Sequence, residues 1–288
     1  MSRIILGTAN FGNIYGIANE GKLLSLEESK SIINWAQANG INRFDTALAY
    51  RGSAEVLNAN LDHSLKPAID TKLDERSCQS SKLVVKNAKE LRETLGVAQL
   101  SVLYLHNEEL LQGSLASEIS SGLREVLSLG IAESIGVSTY SEASIIACKE
   151  VLPELSVFQV PENICDRRII SSKAIQSLAE NGNSFIIRSI FLQGLLLMEA
   201  SSIPPQLKLA KGKIQELNNF AVDHELSVMD ICVAYANSIS WASGIIVGVS
   251  SLSQLKEIQG SSSTLPEGWA NAISTLPLEI VDPRRWSL

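Results

Sequence analysis

The sequence lacks several features that assign proteins to specialised classes. It has few cysteines, and none of them forms a C-x-x-C pair: Cys78, Cys148, Cys165 and Cys232. Cysteines so sparse and so widely spaced indicate neither a disulfide scaffold nor a zinc site, and we expect reduced, buried thiols. Long apolar runs are also missing. The most apolar stretch, FIIRSIFLQGLLLM at 185–198, is interrupted by an arginine and a glutamine and is therefore not a membrane span.

An excess of positive charge is absent as well. The 288 residues include 24 Lys and Arg against 31 Asp and Glu, which leaves a formal net charge of −7 at neutral pH. This balance argues against nucleic acid or an anionic membrane surface as the main partner. The N-terminal MSRIILGTANFG has one arginine and only a short apolar run, unlike a secretory signal. We therefore expect a cytoplasmic protein that acts on a small molecule.

Two common nucleotide-binding signatures are missing too. No G-x-G-x-x-G follows an early strand, as it usually does in a doubly wound open sheet. The early glycines Gly7, Gly12 and Gly16 are not followed by the G-K-[ST] of a phosphate-binding P-loop. These absences count against an open α/β sheet, which is the main alternative to the fold proposed next.

Short apolar, β-rich runs alternate with amphipathic helical patterns along the chain. Ser25 with Glu28 forms a capping box before a helix, and Ser251 with Gln254 repeats the pattern near the C-terminus. Eight such units without a composition break predict an α/β fold of the (β/α)8 TIM-barrel type, a single domain over residues 1–288. The predicted strands are 3–8, 43–47, 67–72, 100–106, 132–138, 156–160, 184–189 and 244–250.

Polar side chains follow three consecutive predicted strands. Asp45 stands near the end of the second, in RFDTALAY, with Tyr50 in the loop after it, while Lys72 ends the third and His106 the fourth. Neighbouring strands lie about 4.8 Å apart, so these side chains converge at the carboxyl end of the barrel, where barrel enzymes carry their chemistry. We expect Asp45 to pair with Lys72 and the ammonium to face the Tyr50 hydroxyl. Each residue alone has an ordinary structural explanation, but the four together indicate a site.

The ordered set D-T-A-x-x-Y, T-K and L-H-N resembles the aldo-keto reductases. The resemblance spans nearly the whole chain, through LGTANFG, GVSTY, FQV, RSIFLQGLL and VGVSSLSQL. It implies a barrel that binds a nicotinamide dinucleotide, NADPH by preference with NADH possible, and that reduces an aldehyde or ketone. It also implies a catalytic tetrad of Asp45, Tyr50, Lys72 and His106, with no metal.

The chemistry of carbonyl reduction explains these residue types. Negative charge develops on the carbonyl oxygen, which must be stabilised and protonated. A free phenol has a pKa of about 10, and an adjacent ammonium favours phenolate and makes the proton easier to donate. By the resemblance we expect Tyr50 to be the general acid, Lys72 the cation beside it and Asp45 the partner that keeps Lys72 charged. His106 would be a neutral donor that orients the carbonyl.

The same resemblance assigns the dinucleotide site. Ser138, Thr139 and Gln159 match the positions that hold the nicotinamide carboxamide, and Arg188 stands where an aromatic often stacks on the ring. Gln254 takes the position of a basic residue that pairs with the 2′-phosphate, so we expect a preference for NADPH below about a hundredfold. The full implied set is Gly7, Thr8, Asp45, Ser138, Thr139, Gln159, Arg188, Ser189, Phe191, Gly194, Gly248, Val249, Ser250, Ser251 and Gln254.

Two other functions stay open at the level of sequence. A lysine at a barrel-strand end can form a Schiff base with a carbonyl, as in class I aldolases, although an ion pair with Asp45 would keep Lys72 protonated. A non-catalytic sensor that binds a dinucleotide is the second alternative, and an intact tetrad argues against it.

The loops around the predicted mouth are of modest length. They include NEELLQGSL after the fourth strand and the segment around 191–208. We therefore expect an open mouth, which the final DPRRWSL segment is positioned to cover, with Trp286 packed on the outside of the barrel.

Overall fold

The computed structural model describes residues 3–14, 16–17, 23–261 and 264–286. In these ranges the strands form a closed parallel barrel in chain order, with the last strand hydrogen-bonded to the first. The predicted (β/α)8 TIM barrel is confirmed. The strands are β1 (Ile4–Gly7), β2 (Arg43–Asp45), β3 (Ala68–Leu73), β4 (Leu100–Leu105), β5 (Ala132–Ser138), β6 (Val157–Pro161), β7 (Ser184–Arg188) and β8 (Ala242–Gly248).

Helices surround the barrel. They are α1 (Leu26–Ala38), α2 (Ser53–Asn60), α3 (Ser81–Thr94), α4 (Ala116–Ser128), α5 (Glu142–Val151), α6 (Lys173–Glu180), α7 (Lys211–Asp223), α8 (Val228–Ser238), α9 (Leu252–Gly260), α10 (Trp269–Ala272) and α11 (Leu278–Val281). The predicted capping box begins α1: the Ser25 hydroxyl accepts from the Glu28 N–H, and the Glu28 carboxylate accepts from the Ser25 N–H. This exchange satisfies two backbone donors that the first turn leaves without a partner. Across the described residues, no helix is long and apolar enough to cross a membrane.

The apolar core has two parts. The larger part fills the space between strands and helices, and all four cysteines are buried, free thiols. The smaller part fills the barrel interior and consists of Ile5, Val102, Tyr104, Val157 and Ile186. Gly136 makes room for this plug, because a Cβ there would lie 2.6 Å from a carbon of the Tyr104 ring. The barrel is therefore closed below its mouth, and chemistry is confined to the carboxyl ends of the strands.

Strand boundaries differ from the predictions by at most two residues, and those of β5 agree with the prediction. β2 ends at Asp45, although the Thr46 N–H still donates to the Asp70 carbonyl at 2.9 Å. β3 continues through Leu73, so Lys72 is its penultimate residue. Alternate strand residues share a face, which places the side chains of Asp45 and Lys72 on the inside of the barrel.

Candidate active site

A buried ion pair lies at the centre of the mouth. Lys72 Nζ donates to both carboxylate oxygens of Asp45, at 2.5 and 2.6 Å, and to the Thr46 carbonyl at 3.1 Å. Gln159 on β6 donates its side-chain N–H to Asp45 Oδ2 at 2.6 Å. Asp45 and Lys72 are each only 3% exposed. Removing two charges from water is costly, and these additional hydrogen bonds offset part of that cost. The pairing predicted from the sequence is present.

The other two members of the predicted tetrad lie against this pair. The Tyr50 ring centroid is 5.7 Å from Lys72 Nζ. It is 6.0 Å from the His106 ring centroid, and the two rings are nearly perpendicular. Tyr50 is held by the turn after β2, where its N–H donates to the Ala47 carbonyl at 2.9 Å. The structure thus brings Asp45, Tyr50, Lys72 and His106 together at one point.

The electrostatics of the phenol differ from the expectation. Burial, with the nearby Asp45 carboxylate, raises the pKa of Tyr50 above its ordinary value, and the opposing influence comes from the Arg188 guanidinium. Whether Lys72 acidifies Tyr50 when substrate is bound therefore stays a prediction. Burial is the largest cause of the raised pKa of Tyr50, and the Lys72 ammonium is bound by both oxygens of Asp45.

The imidazole is neutral. Burial lowers the pKa of His106 to about 4, and the positive charge of Lys72 acts in the same direction. At neutral pH one ring nitrogen is therefore a donor and the other an acceptor. This is the protonation state that the sequence analysis predicts.

The tetrad opens into a cavity of about 940 Å³ at the carboxyl ends of the strands. The predicted site residues that line it are Gly7, Thr8, Asp45, Tyr50, Lys72, His106, Ser138, Gln159, Arg188, Ser189, Phe191, Gly194, Gly248, Ser250, Ser251 and Gln254. Thr139 and Val249 are buried and lie outside this lining. Each directly follows a lining residue, and successive residues of an extended chain point to opposite sides.

Several lining residues were missed by the sequence analysis. They are Asn10, Asp74, Glu75, Asn107, Glu108, Tyr140, Gln193, Glu257 and Arg284, among others. Proximity in sequence was an available signal for most of them, since Asp74 follows Lys72 by two residues, Glu108 follows His106 by two, and Tyr140 directly follows GVST. Arg284 carries no such signal, because it comes from the far end of the chain.

The loop after β7 has a strained backbone where it borders the cavity. Ser189, Leu192 and Gln193 adopt left-handed conformations with φ of 62°, 48° and 54°. Such conformations cost non-glycine residues about 1–3 kcal/mol each and are concentrated at functional sites. The buried Asn163 braces the loop by donating its side-chain N–H to the Ser189 carbonyl at 3.2 Å.

Beside this loop, after the neighbouring strand β8, α9 begins with a modified cap. Ser251 Oγ accepts from the Gln254 N–H at 3.1 Å, as the pattern predicts. The return bond differs, because Gln254 Oε1 accepts from the N–H of Ser250 at 2.8 Å. Lys256 is turned away from the cavity, with its ammonium 5.9 Å from the Trp35 ring centroid. Here the cavity is lined by hydroxyls, an amide, backbone N–H groups and the Glu257 carboxylate.

Comparison with known proteins assigns the family. Residues 3–272 match the model of the aldo/keto reductase family. The chain belongs to this family. It is therefore an oxidoreductase of the aldo-keto reductase type, a family that generally uses NAD(P)H and acts on small carbonyl substrates.

A solved structure agrees with the fold of this aldo-keto reductase. A crystal structure of a thermostable aldo-keto reductase in complex with the inhibitor epalrestat matches it with a TM-score of 0.72 and 18% sequence identity. The match covers 94% of this chain and 93% of that chain. No curated protein sequence matches significantly.

Proposed function

We propose that this aldo-keto reductase reduces an aldehyde or ketone with NAD(P)H and that Tyr50 is the general acid. The observation that carries the proposal is the convergence of Tyr50, His106 and the Asp45–Lys72 pair at the floor of one open cavity.

The chemistry of the lining fits a nicotinamide dinucleotide. Asn10 and Gln159 line the cavity. The side-chain carbonyl oxygen of Asn10 is buried without a hydrogen-bond partner in the described part of the chain, whereas the Gln159 side chain lies next to the Tyr104 hydroxyl. An unpaired carbonyl oxygen suits an amide or amino group of the dinucleotide. Gly7 and Gly248 are register partners on β1 and β8, and a Cβ added at Gly248 would meet no atom within 4 Å. The backbone is thus accessible along this side.

We assign the dinucleotide to the residues that the family resemblance implies. Ser138 and Gln159 would hold the carboxamide, and the flat Arg188 guanidinium would stack on the ring. The pyrophosphate would follow the strained loop after β7, and the adenosine phosphate would meet the N-terminus of α9. NADPH is the dinucleotide we expect, with a modest preference because the α9 side lacks a lining cation among the described residues.

The mechanism follows from the protonation states. When bound, the reduced nicotinamide supplies the hydride that adds to the carbonyl carbon. Tyr50 remains protonated at neutral pH because its pKa is raised, so its O–H is available to the carbonyl oxygen. As charge develops there, Tyr50 donates the proton, and the neutral His106 donates a hydrogen bond that orients the carbonyl. An alkoxide is a stronger base than a phenolate, so proton transfer stays favourable even from a weakened acid.

The Schiff-base alternative has little support. An imine-forming lysine needs a free lone pair on nitrogen. Lys72 Nζ instead donates three hydrogen bonds, two of them to a carboxylate. We therefore assign Lys72 an electrostatic role.

Tyr50→Phe tests the proposal. We expect turnover of the best carbonyl substrate to fall by at least about 10²-fold, the usual scale for a lost general acid. The dissociation constant of the cofactor, measured by fluorescence titration, should stay within a few-fold. Tyr104→Phe is the matched control, since it removes a phenol hydroxyl from the barrel interior outside the cavity lining. Near-normal turnover by Tyr50→Phe would contradict the assignment.

A further inference from the structure

Arg188, the last residue of β7, reaches across the mouth of the barrel. Its Nη1 donates to the Ser189 hydroxyl at 3.3 Å. Its Nη2 lies 3.5 Å from the carbonyl oxygen of Thr139, the residue directly after β5. Strand β6 lies between β5 and β7 in the barrel. The guanidinium group therefore spans the carboxyl end of β6, where Gln159 lines the cavity.

An aromatic ring supports the guanidinium group in this position. Its central carbon lies 4.3 Å from the ring centroid of Tyr140, which also lines the cavity. The guanidinium carbon of Arg284 lies 3.7 Å from the same centroid, but Arg284 also donates to the carboxylates of Asp282 and Glu108, at 2.9 and 3.3 Å. Contact with an aromatic ring is favourable for a cation, so Tyr140 fixes the charge of Arg188 beside the carboxyl ends of β5 and β6.

Charged groups are distributed unevenly around the cavity. Besides Asp45, the lining carboxylates follow β3, β4 and β8: Asp74, Glu75, Glu108 and Glu257. Among the described lining residues on or after β5, β6 and β7 and before β8, only Arg188 has a charged side chain. The Asp45–Lys72 pair has no net charge. This side of the mouth therefore has a positive potential.

The charge of Arg188 acts on the groups of the tetrad. Burial is the main cause of the raised pKa of Tyr50, and the Arg188 guanidinium opposes that rise. Burial also lowers the pKa of His106 to about 4, and the positive charges of Lys72 and Arg188 act in the same direction. A molecule bound between the tetrad and β6 would experience the same positive charge.

We propose that Arg188 makes the site bind the reduced dinucleotide more tightly than the oxidised one. The inference rests on the proposed function, because it concerns the redox state of the cofactor assigned there. Ser138 and Gln159 are assigned to the carboxamide, and Arg188 spans the strand that carries Gln159, so the nicotinamide ring would lie next to the guanidinium group.

The two redox states of the nicotinamide differ in charge. The reduced ring is neutral, whereas the oxidised ring is a cation. Like charges repel, and the repulsion is stronger in a partly buried site than in water. Arg188 would therefore promote release of the oxidised cofactor, which favours carbonyl reduction over alcohol oxidation.

The dissociation constants of NADPH, NADP⁺, NADH and NAD⁺ test the proposal when they are measured by isothermal titration calorimetry at low salt. For the unaltered protein, we expect the reduced form to bind at least about tenfold more tightly than the oxidised form in both pairs. Arg188→Met should bring this ratio close to one. Arg188→Lys should retain most of it, because the ammonium group keeps the charge.

The ratio separates the charge of Arg188 from other roles of the side chain. If the guanidinium group only contacted a phosphate or only shaped the cavity, its loss would weaken binding of the reduced and oxidised forms equally, and the ratio would not change. Arg124→Met is the matched control. Arg124 is an exposed arginine on α4 that pairs with Glu154 at 2.7 Å, so this variant makes the same change in net charge far from the cavity and should leave the ratio unchanged.

Equal or tighter binding of the oxidised forms by the unaltered protein would overturn the inference, and so would a ratio that Arg188→Met leaves unchanged. If Arg188→Met does not fold, Arg188→Gln gives the same comparison, because it keeps a planar polar group without the charge. Binding of none of the four dinucleotides would contradict the proposed function, and the inference would fall with it. Binding with a ratio of one would contradict the inference alone.

Discussion

Two ion pairs join the same two strands at successive levels inside the barrel, one nearer its amino end and one at its mouth. At the amino end, Arg43 on β2 contacts Asp70 on β3 at 2.9 Å. At the carboxyl end, the signs are exchanged, and Asp45 on β2 contacts Lys72 on β3. The cations differ in their access to water, since the Arg43 side chain is 29% exposed and that of Lys72 only 3%. One cation retains hydration, and the other depends on protein acceptors.

This difference separates a structural pair from a chemical one. Asp45 and Asp70 are register partners on adjacent strands, so two carboxylates stand side by side inside the barrel and each needs its own cation. Burial raises the pKa of Asp70 to about 7 against the opposing influence of Arg43. Buried ion pairs are seldom net stabilising compared with apolar residues. A fully dehydrated lysine at the mouth is therefore better explained by its effect on the reacting groups than by stability.

Breaking the pair at the mouth should have the largest effect. Lys72→Met leaves Asp45 as an uncompensated buried charge and removes the cation next to Tyr50. We expect turnover to fall by at least about 10²-fold and the free energy of unfolding by about 3–5 kcal/mol. The double variant Asp45→Leu/Lys72→Met should recover most of the stability in denaturant titrations but none of the activity. Recovery of both would show that this pair, too, is only structural.

Breaking the Arg43–Asp70 pair should destabilise the protein without abolishing turnover. Arg43→Met leaves Asp70 unpaired, and we expect the free energy of unfolding to fall by about 3 kcal/mol. This is the lower end of the range for a broken buried pair, because Arg43 is partly hydrated. Turnover per folded molecule should fall much less than in Lys72→Met, since neither Arg43 nor Asp70 lines the cavity. A loss of activity comparable to that of Lys72→Met would remove the distinction between the two ends.

The pH dependence should distinguish the two directions of the reaction. With the pKa of His106 at about 4 and that of Tyr50 raised, the neutral imidazole and the protonated phenol both predominate from about pH 5 to about pH 9. Reduction should therefore be nearly independent of pH in this range. Alcohol oxidation needs the phenolate, whose fraction rises about tenfold per pH unit below the pKa. If the rate of alcohol oxidation instead reaches a plateau below about pH 9, the pKa of Tyr50 is lowered when cofactor and substrate are bound.

Much of the fold and of the site follows from local pattern. Alternating apolar runs predict the barrel, and strand-end positions alone bring Asp45, Lys72 and His106 together, because parallel strands of a barrel all end at one mouth. Both the register and the ion pair agree with that reasoning. Residue type and spacing were sufficient to place these side chains because the parallel strands of a barrel leave few other positions for them.

The remainder depends on contacts that local pattern does not encode. Arg284 reaches Glu108 across 176 positions of sequence, and nothing near either residue signals the contact. The raised pKa of Tyr50 depends first on how deeply the phenol is buried and then on the nearby Asp45 carboxylate, and sequence spacing specifies neither. At α9, the side chain of Gln254 folds back on Ser250, a choice of rotamer that spacing cannot specify.

The smallest effect concerns the α9 side of the cavity, where, among the described lining residues, there is no cation comparable to Lys72 or Arg188. Gln254→Arg supplies one and also releases the Ser250 N–H, which now donates to Gln254 Oε1. A charge-assisted hydrogen bond contributes about 1.5–3 kcal/mol, and at this partly exposed site we expect the NADPH-to-NADH affinity ratio to rise by about tenfold.

Gln254→Met separates the effect of the added charge from that of the released N–H, because it releases the N–H without adding charge. Lys256→Met should change nothing, since Lys256 lies over Trp35. Titration of both dinucleotides into the three variants measures the ratio. An unchanged ratio for Gln254→Arg would mean that the 2′-phosphate does not bind beside residue 254.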